Sequence, residues 1–140
     1  MIYNGEVYNS SELAEKYDLK LKTTSDTEVI IELFAKQGSS FVNLLNGMFV
    51  IIIYDKQEKI LHVFRDRFGV KPLYYFWDEK HFIFASEIKS LLRLDYVKKR
   101  IGLNKEVISS FLHLGFTPEP HTFFSSIKKF YCDLYFALNK

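Results

Sequence analysis

The longest uninterrupted apolar stretch in the chain, Met48 to Tyr54, is rich in β-branched residues and shows no polar alternation. That pattern predicts a central strand buried on both faces. Asp55 to Lys59 supplies a polar turn before a second run, Ile60 to Phe64. Leu73 to Trp77 and Phe82 to Ala85 repeat the arrangement around Asp78-Glu79-Lys80, so two antiparallel hairpins are expected. Helical spacing lies on either side of them. Asn9-Ser10-Ser11-Glu12 has the form of a capping box ahead of Leu13, Ala14 and Tyr17. Ser25-Asp26-Thr27-Glu28 repeats it ahead of a wider stripe, Val29, Ile30, Leu33 and Phe34, with Gly38 as the stop. Phe41 to Leu45 allows one more helical turn. Ser86 is read as the cap of a helix through Leu92, and Asn104 as the cap of another whose Val107, Ile108, Phe111 and Leu112 face one way until Thr117-Pro118-Glu119-Pro120 breaks it. Met1-Ile2-Tyr3 reads as the tail of a strand running into a turn at Asn4-Gly5, with no strand before it to pair with. Helices segregated from antiparallel strands make the fold α+β.

Composition narrows the function classes. The 140 residues suit one domain, 1–140, with no repeat and no low-complexity linker. An aromatic content of 17% favours bulky sheet faces. A net charge of +2, with lysine and arginine scattered, lacks the one-sided basic patch that a nucleic-acid partner requires. No apolar run approaches the roughly 20 residues of a membrane-spanning helix, so no membrane partner is expected. The single cysteine, Cys132, excludes an internal disulfide and favours a reducing, cytoplasmic setting. Among aromatic neighbours it reads as a small buried hydrophobe rather than a nucleophile paired with His113 or His121.

Asn4-Gly5-Glu6 could place a backbone N–H and a carboxamide side by side, the two donors of an oxyanion hole. Taken alone, Asn-Gly is also the commonest tight-turn pair. Arg65-Asp66-Arg67, followed by Gly69 and Pro72, could hold an anion, but the pattern more often fixes a loop by local ion pairing. The blocks carry more when taken in order: Tyr3-Asn-Gly-Glu-Val-Tyr-Asn9, Ser25-Asp-Thr-Glu-Val-Ile30, Leu45-Asn-Gly-Met-Phe49, Arg65-Asp-Arg-Phe-Gly-Val-Lys-Pro-Leu-Tyr-Tyr75 and Phe84-Ala-Ser-Glu-Ile-Lys89. This series, from about residue 2 to residue 128, resembles the N-terminal glutaminase domain of the glutamine-hydrolysing asparagine synthetases. The resemblance implies an N-terminal nucleophile hydrolase fold, a four-layer αββα sandwich around two antiparallel sheets. It also implies a cysteine that attacks the side-chain amide of glutamine, and ammonia passed to an ATP-using synthetase domain that makes asparagine. On the matching positions, Asn4 and Gly5 become the oxyanion donors, Glu6 lies in the glutamine pocket, and Asp26 holds the substrate's α-ammonium. Without the match, Asp26 is simply part of a helix cap.

Three departures qualify what is expected. The family's cysteine is the first residue of the mature chain, whereas position 1 here is methionine, whose thioether cannot form a thioester. The strands preceding Ile2, with the family's arginine for the substrate carboxylate, are missing. A truncated domain, silent by itself, is therefore expected, and its unpaired sheet edge at Ile2-Tyr3 predicts self-association. Residues 129–140 depart from the family's proline-glycine turn. Lastly, no phosphate-binding loop is present, so no cofactor is expected in this chain, and ATP and Mg belong to the absent synthetase domain. The alternative reading is a non-catalytic module that binds glutamine or a protein partner.

Overall fold

The computed structural model describes residues 1–132 and 135–139. Its elements run β1 (Ile2–Val7), α1 (Ser10–Lys16), α2 (Asp26–Gln37), a 3-10 helix (Gly38–Leu44), β2 (Gly47–Asp55), β3 (Ile60–Arg65), β4 (Tyr74–Trp77), β5 (Phe82–Ala85), α3 (Ile88–Leu91), α4 (Asp95–Lys98), α5 (Lys105–Leu114), β6 (Ile127–Lys129) and β7 (Tyr135–Asn139). They form two compact units, Met1–Lys71 with Cys132–Lys140, and Pro72–Tyr131.

In the first unit the strands stand in the order β1-β2-β3-β7, all neighbours antiparallel. The apolar run of β2 makes it an inner strand, and Phe49 to Ile53 are all buried. On one face Phe49, Ile51, Ile53 and Phe64 join Val29, Ile30, Leu33 and Phe41 in a single core. Each side chain fully buried there contributes roughly 1.5–3 kcal/mol. Ser25 caps α2 by accepting the Thr27 N–H at 3.2 Å. Gly38 ends the helix at φ +58°, a left-handed conformation glycine adopts without steric cost. In the second unit the order is β5-β4-β6, again antiparallel, over a core of Phe76, Leu91, Val97 and Ile127. Mixed helices and two antiparallel sheets agree with the α+β class.

Several local expectations give way to contacts made at long range. Asn9 makes no side-chain cap to α1. Its carboxamide donates to Leu44 O at 2.9 Å and accepts from the Asn46 N–H at 2.8 Å, tying the end of β1 to the turn into β2. Glu28 does not reach back to Ser25. Its carboxylate accepts the N–H groups of Lys22 and Thr23, each at 2.8 Å, together with the Thr23 hydroxyl. Ser86 is not the cap of α3, whose cap position is Glu87, and that helix is one turn long. Asn104 does cap α5, through the Val107 N–H, but only Val107 of the expected stripe is buried and Leu112 is 77% exposed. The helix meets its unit through its first turn and through the edge-to-face pair Phe111–Phe123, which leaves Ile108 half-buried and Leu112 in solvent. The stretches read as loop or tail also hold α4, β6 and β7. Among the described residues no helix is long and apolar enough to cross a membrane.

Candidate functional site

Asn4-Gly5-Glu6 does not form a turn. The triplet continues β1, and its burial alternates: Tyr3 and Val7 turn toward the core while Ile2, Asn4 and Glu6 are exposed. Asn4 and Glu6 therefore share one face. The register pairs Gly5 with Phe49 and Glu6 with Met48. Just beyond the strand, the Tyr8 N–H donates to Asn46 O at 2.8 Å, so the even-numbered residues bond toward β2. Phe49, for its part, turns away from Gly5: its N–H donates to the Asp66 carboxylate at 3.2 Å and its carbonyl accepts the Asp66 N–H at 3.0 Å. Gly5 and Phe49 are thus a non-hydrogen-bonded pair, and the N–H groups of Tyr3, Gly5 and Val7 point to the outer edge of the sheet.

Gly5 is dictated by the approach of the neighbouring strand. A Cβ there would lie 2.1 Å from Met48 O and 2.6 Å from Phe49 Cα, and φ is +153°. Gly47 on β2 meets the same restriction, since its Cβ would fall 2.2 Å from Glu6 O. At Gly5 the edge of the sheet thus presents bare main chain.

Asp26 opens α2, one residue after the Ser25 cap, and serves more than its helix. One carboxylate oxygen, Oδ2, accepts the Tyr3 hydroxyl at 2.6 Å and the Val7 N–H at 3.1 Å. Those two donors bracket Asn4-Gly5-Glu6, so the structure brings all four predicted residues into one neighbourhood. The other oxygen, Oδ1, has the Thr27 hydroxyl at 3.5 Å, the outer limit of a hydrogen bond. Burial, and then the hydrogen bond to the Asp26 carboxylate, push the Tyr3 phenol well above its ordinary pKa. Tyr3 was passed over in the sequence because its partner lies 23 residues away.

The loop after β3 braces β2 from the side opposite β1. Buried Asp66 accepts the N–H groups of Phe68 at 3.0 Å and Val70 at 3.2 Å in addition to that of Phe49. Arg65 donates to Lys71 O at 2.8 Å and Gly69 O at 2.6 Å. The loop-fixing role expected of Arg65-Asp66-Arg67 is therefore carried by side chain to main chain bonds. Cys132, expected to be buried among aromatics, is exposed, while Phe130, two residues earlier, is buried. Its neighbour is Gly69, where a Cβ would stand 3.1 Å from that of Cys132.

The family model of the glutamine amidotransferase domain matches residues 1–140. Asparagine synthetase [glutamine-hydrolyzing] 1 of Bacillus subtilis is 37% identical over 132 residues, covering 92% of this chain and 20% of that protein. Asparagine synthetase [glutamine-hydrolyzing] 2 of the same organism is 38% identical over 144 residues, covering 99% of this chain and 19% of that protein. The chain spans about a fifth of the length of these relatives. In fold it is similar to glutamine phosphoribosylpyrophosphate amidotransferase from B. subtilis, with a TM-score of 0.57 and 23% identity over 69% of this chain and 23% of that one. The chain therefore belongs to the glutamine amidotransferase domain family, in the form found in asparagine synthetase-like proteins.

Proposed function

We propose that these residues form the substrate-holding part of a glutaminase site. The Asn4 carboxamide and the Gly5 N–H stabilise the oxyanion that forms when a thiolate attacks the side-chain amide carbon of glutamine. Glu6 lies in the glutamine pocket, and Asp26 holds the α-ammonium. Gly5 carries the proposal: its N–H faces the open edge of β1, between two residues that both bond to Asp26. A donor already aimed at developing negative charge lowers the barrier by a few kcal/mol. Collapse of the tetrahedral intermediate expels ammonia and leaves a thioester for water to cleave. In the parent family the ammonia then goes to a synthetase domain, to which we assign ATP and magnesium.

The nucleophile of this family is an N-terminal cysteine, activated by its own α-amine. Cys132 is exposed beside Gly69 of the loop after β3, and is given no part in this site. The polypeptide binds glutamine through these residues, and the nucleophile is left unassigned. Calorimetric titration tests the binding. Asp26→Ala is expected to weaken glutamine binding by roughly tenfold or more, the size of one lost hydrogen bond to a charged group. Unchanged glutamine affinity in Asp26→Ala would refute this reading.

A further inference from the structure

We infer that Tyr3 is a positioning residue for the α-ammonium of the substrate and acts through Asp26. The inference rests on the role proposed for Asp26 above. A carboxylate at the first position of a helix has competing partners, since the unpaired N–H groups of the first turn all attract it. Asp26 is drawn away from them toward β1 by two donors that meet on the same oxygen, the Tyr3 hydroxyl at 2.6 Å and the Val7 N–H at 3.1 Å. Two donors on Oδ2 fix the carboxylate plane and leave Oδ1, which among the described residues has only the distant Thr27 hydroxyl, for an incoming cation.

Tyr3 can hold that position because it is half-buried against the core cluster of the first unit, which leaves its hydroxyl to act at the edge. Its raised pKa keeps it a donor throughout the neutral range. The Val7 N–H supplies one contact that no substitution in Asp26's surroundings removes. The Tyr3 hydroxyl supplies the second, and phenylalanine would delete it while leaving the ring in place. The consequence is selectivity. Loss of the hydroxyl should affect recognition of the α-ammonium and leave recognition of the amide end unchanged.

The test compares glutamine with 4-carbamoylbutanoate, which lacks the α-amino group, by NMR titration of the 140-residue chain. Tyr3→Phe is expected to weaken glutamine roughly fivefold or more while leaving the deaminated analogue within about twofold. Tyr3→Phe combined with Asp26→Asn should be no weaker than Asp26→Asn alone, because both changes remove the same interaction. Equal loss for both ligands, or unchanged glutamine affinity in Tyr3→Phe alongside a weakened Asp26→Asn, overturns the inference and leaves the role of Asp26 standing. Unchanged glutamine affinity in Asp26→Asn, or a wild-type chain that binds neither ligand, overturns the reading of Asp26 and this inference with it. Tyr3→His, with a shorter donor, is judged by the same comparison if Tyr3→Phe does not fold by circular dichroism.

Discussion

Replacing Gly5 by alanine would put a carbon where β1 and β2 leave no room for one. The added Cβ would stand 2.1 Å from Met48 O, 2.6 Å from Phe49 Cα and 2.9 Å from Phe49 Cβ. The two closest atoms are main chain, so rotating a side chain cannot relieve the contact. Separation to ordinary van der Waals distance requires the strands to part by about 1 Å, against the bonds that Ile2, Asn4 and Glu6 make to β2. Overpacking of this kind costs about 1–3 kcal/mol, and alanine at the positive φ adds about 1–2 kcal/mol. A loss of roughly 2–5 kcal/mol is expected, a large part of the roughly 5–15 kcal/mol that holds a domain together. Gly38→Ala is the control: φ there is +58° and ψ −150°, but nothing lies within 4 Å of the added carbon, so only the conformational part, about 1–3 kcal/mol, applies. Urea unfolding followed by far-ultraviolet circular dichroism reads both. With a slope of about 2 kcal/mol per molar urea, Gly5→Ala should lower the midpoint by roughly 1–2.5 M. If Gly5→Ala proves no more destabilising than Gly38→Ala, the close approach of β1 to β2 is wrong, and with it the outward direction of the Gly5 N–H.

Other perturbations test the supporting structure. Asp66→Asn keeps the shape of a buried side chain but turns an amide NH2 toward a group of N–H donors, and should cost about 2–4 kcal/mol in the same urea assay; an unchanged midpoint would refute the bracing role. The Tyr96 hydroxyl, followed by the Lys80 N–H, holds the Asp78 carboxyl well below its ordinary value of 3.8. A depressed folded-state pKa gives stability that is present above 3.8 and lost as pH falls through the lower value, so the melting temperature should drop below about pH 4, and drop less in Asp78→Asn. Burial pushes the His62 imidazole below 6.5, between the Phe34 and Phe64 rings and the Tyr135 hydroxyl. The unfolded chain then takes up a proton that the folded chain refuses, so stability should be level above pH 6.5, fall below it, and fall less in His62→Phe.

The elements legible in the sequence were those whose signals lie within one turn or one hairpin. Strands β2 to β5 declared themselves because strong apolar runs flank polar turns at Asp55–Lys59 and Asp78–Lys80, and Ser25, Gly38 and Asn104 act on groups two to four residues away. Where a side chain had a more distant choice, local reasoning failed. Asn9 had a helix to cap and instead bonds to Leu44 and Asn46, 35 and 37 residues on. Ile127–Lys129 is too short to pattern as a strand and becomes one beside Tyr74–Phe76. Tyr135–Asn139 becomes one because β3 has a free side, where Tyr135 stacks on Phe64 at 4.9 Å. The candidate site was legible only as ordered blocks. Nothing in the spacing of Tyr3 and Asp26 could reveal that a hydroxyl and a carboxylate 23 residues apart meet at 2.6 Å.

The choice between turn and strand at Asn4-Gly5 decides what the pair can do. In a two-residue hairpin turn, glycine serves to make the chain reverse, and the flanking N–H groups are drawn into the closing bonds of the hairpin. In β1 the same glycine serves a different end: it lets the edge strand lie close to Met48 and Phe49 while its N–H faces outward. Asp26 completes this arrangement, because it bonds to Tyr3 and Val7 and so fixes the strand on both sides of the triplet. Helix α2 and the open edge of the sheet are thereby joined by two hydrogen bonds, and on the proposed reading such fixing suits an oxyanion donor, since a donor that must reorient as charge develops loses much of its effect. Asp26 is thus both a brace for the donor strand and a candidate ligand for the substrate. On the proposed reading those two duties fall on different oxygens, Oδ2 for the brace and Oδ1 for the ligand, so one carboxylate can serve both at once.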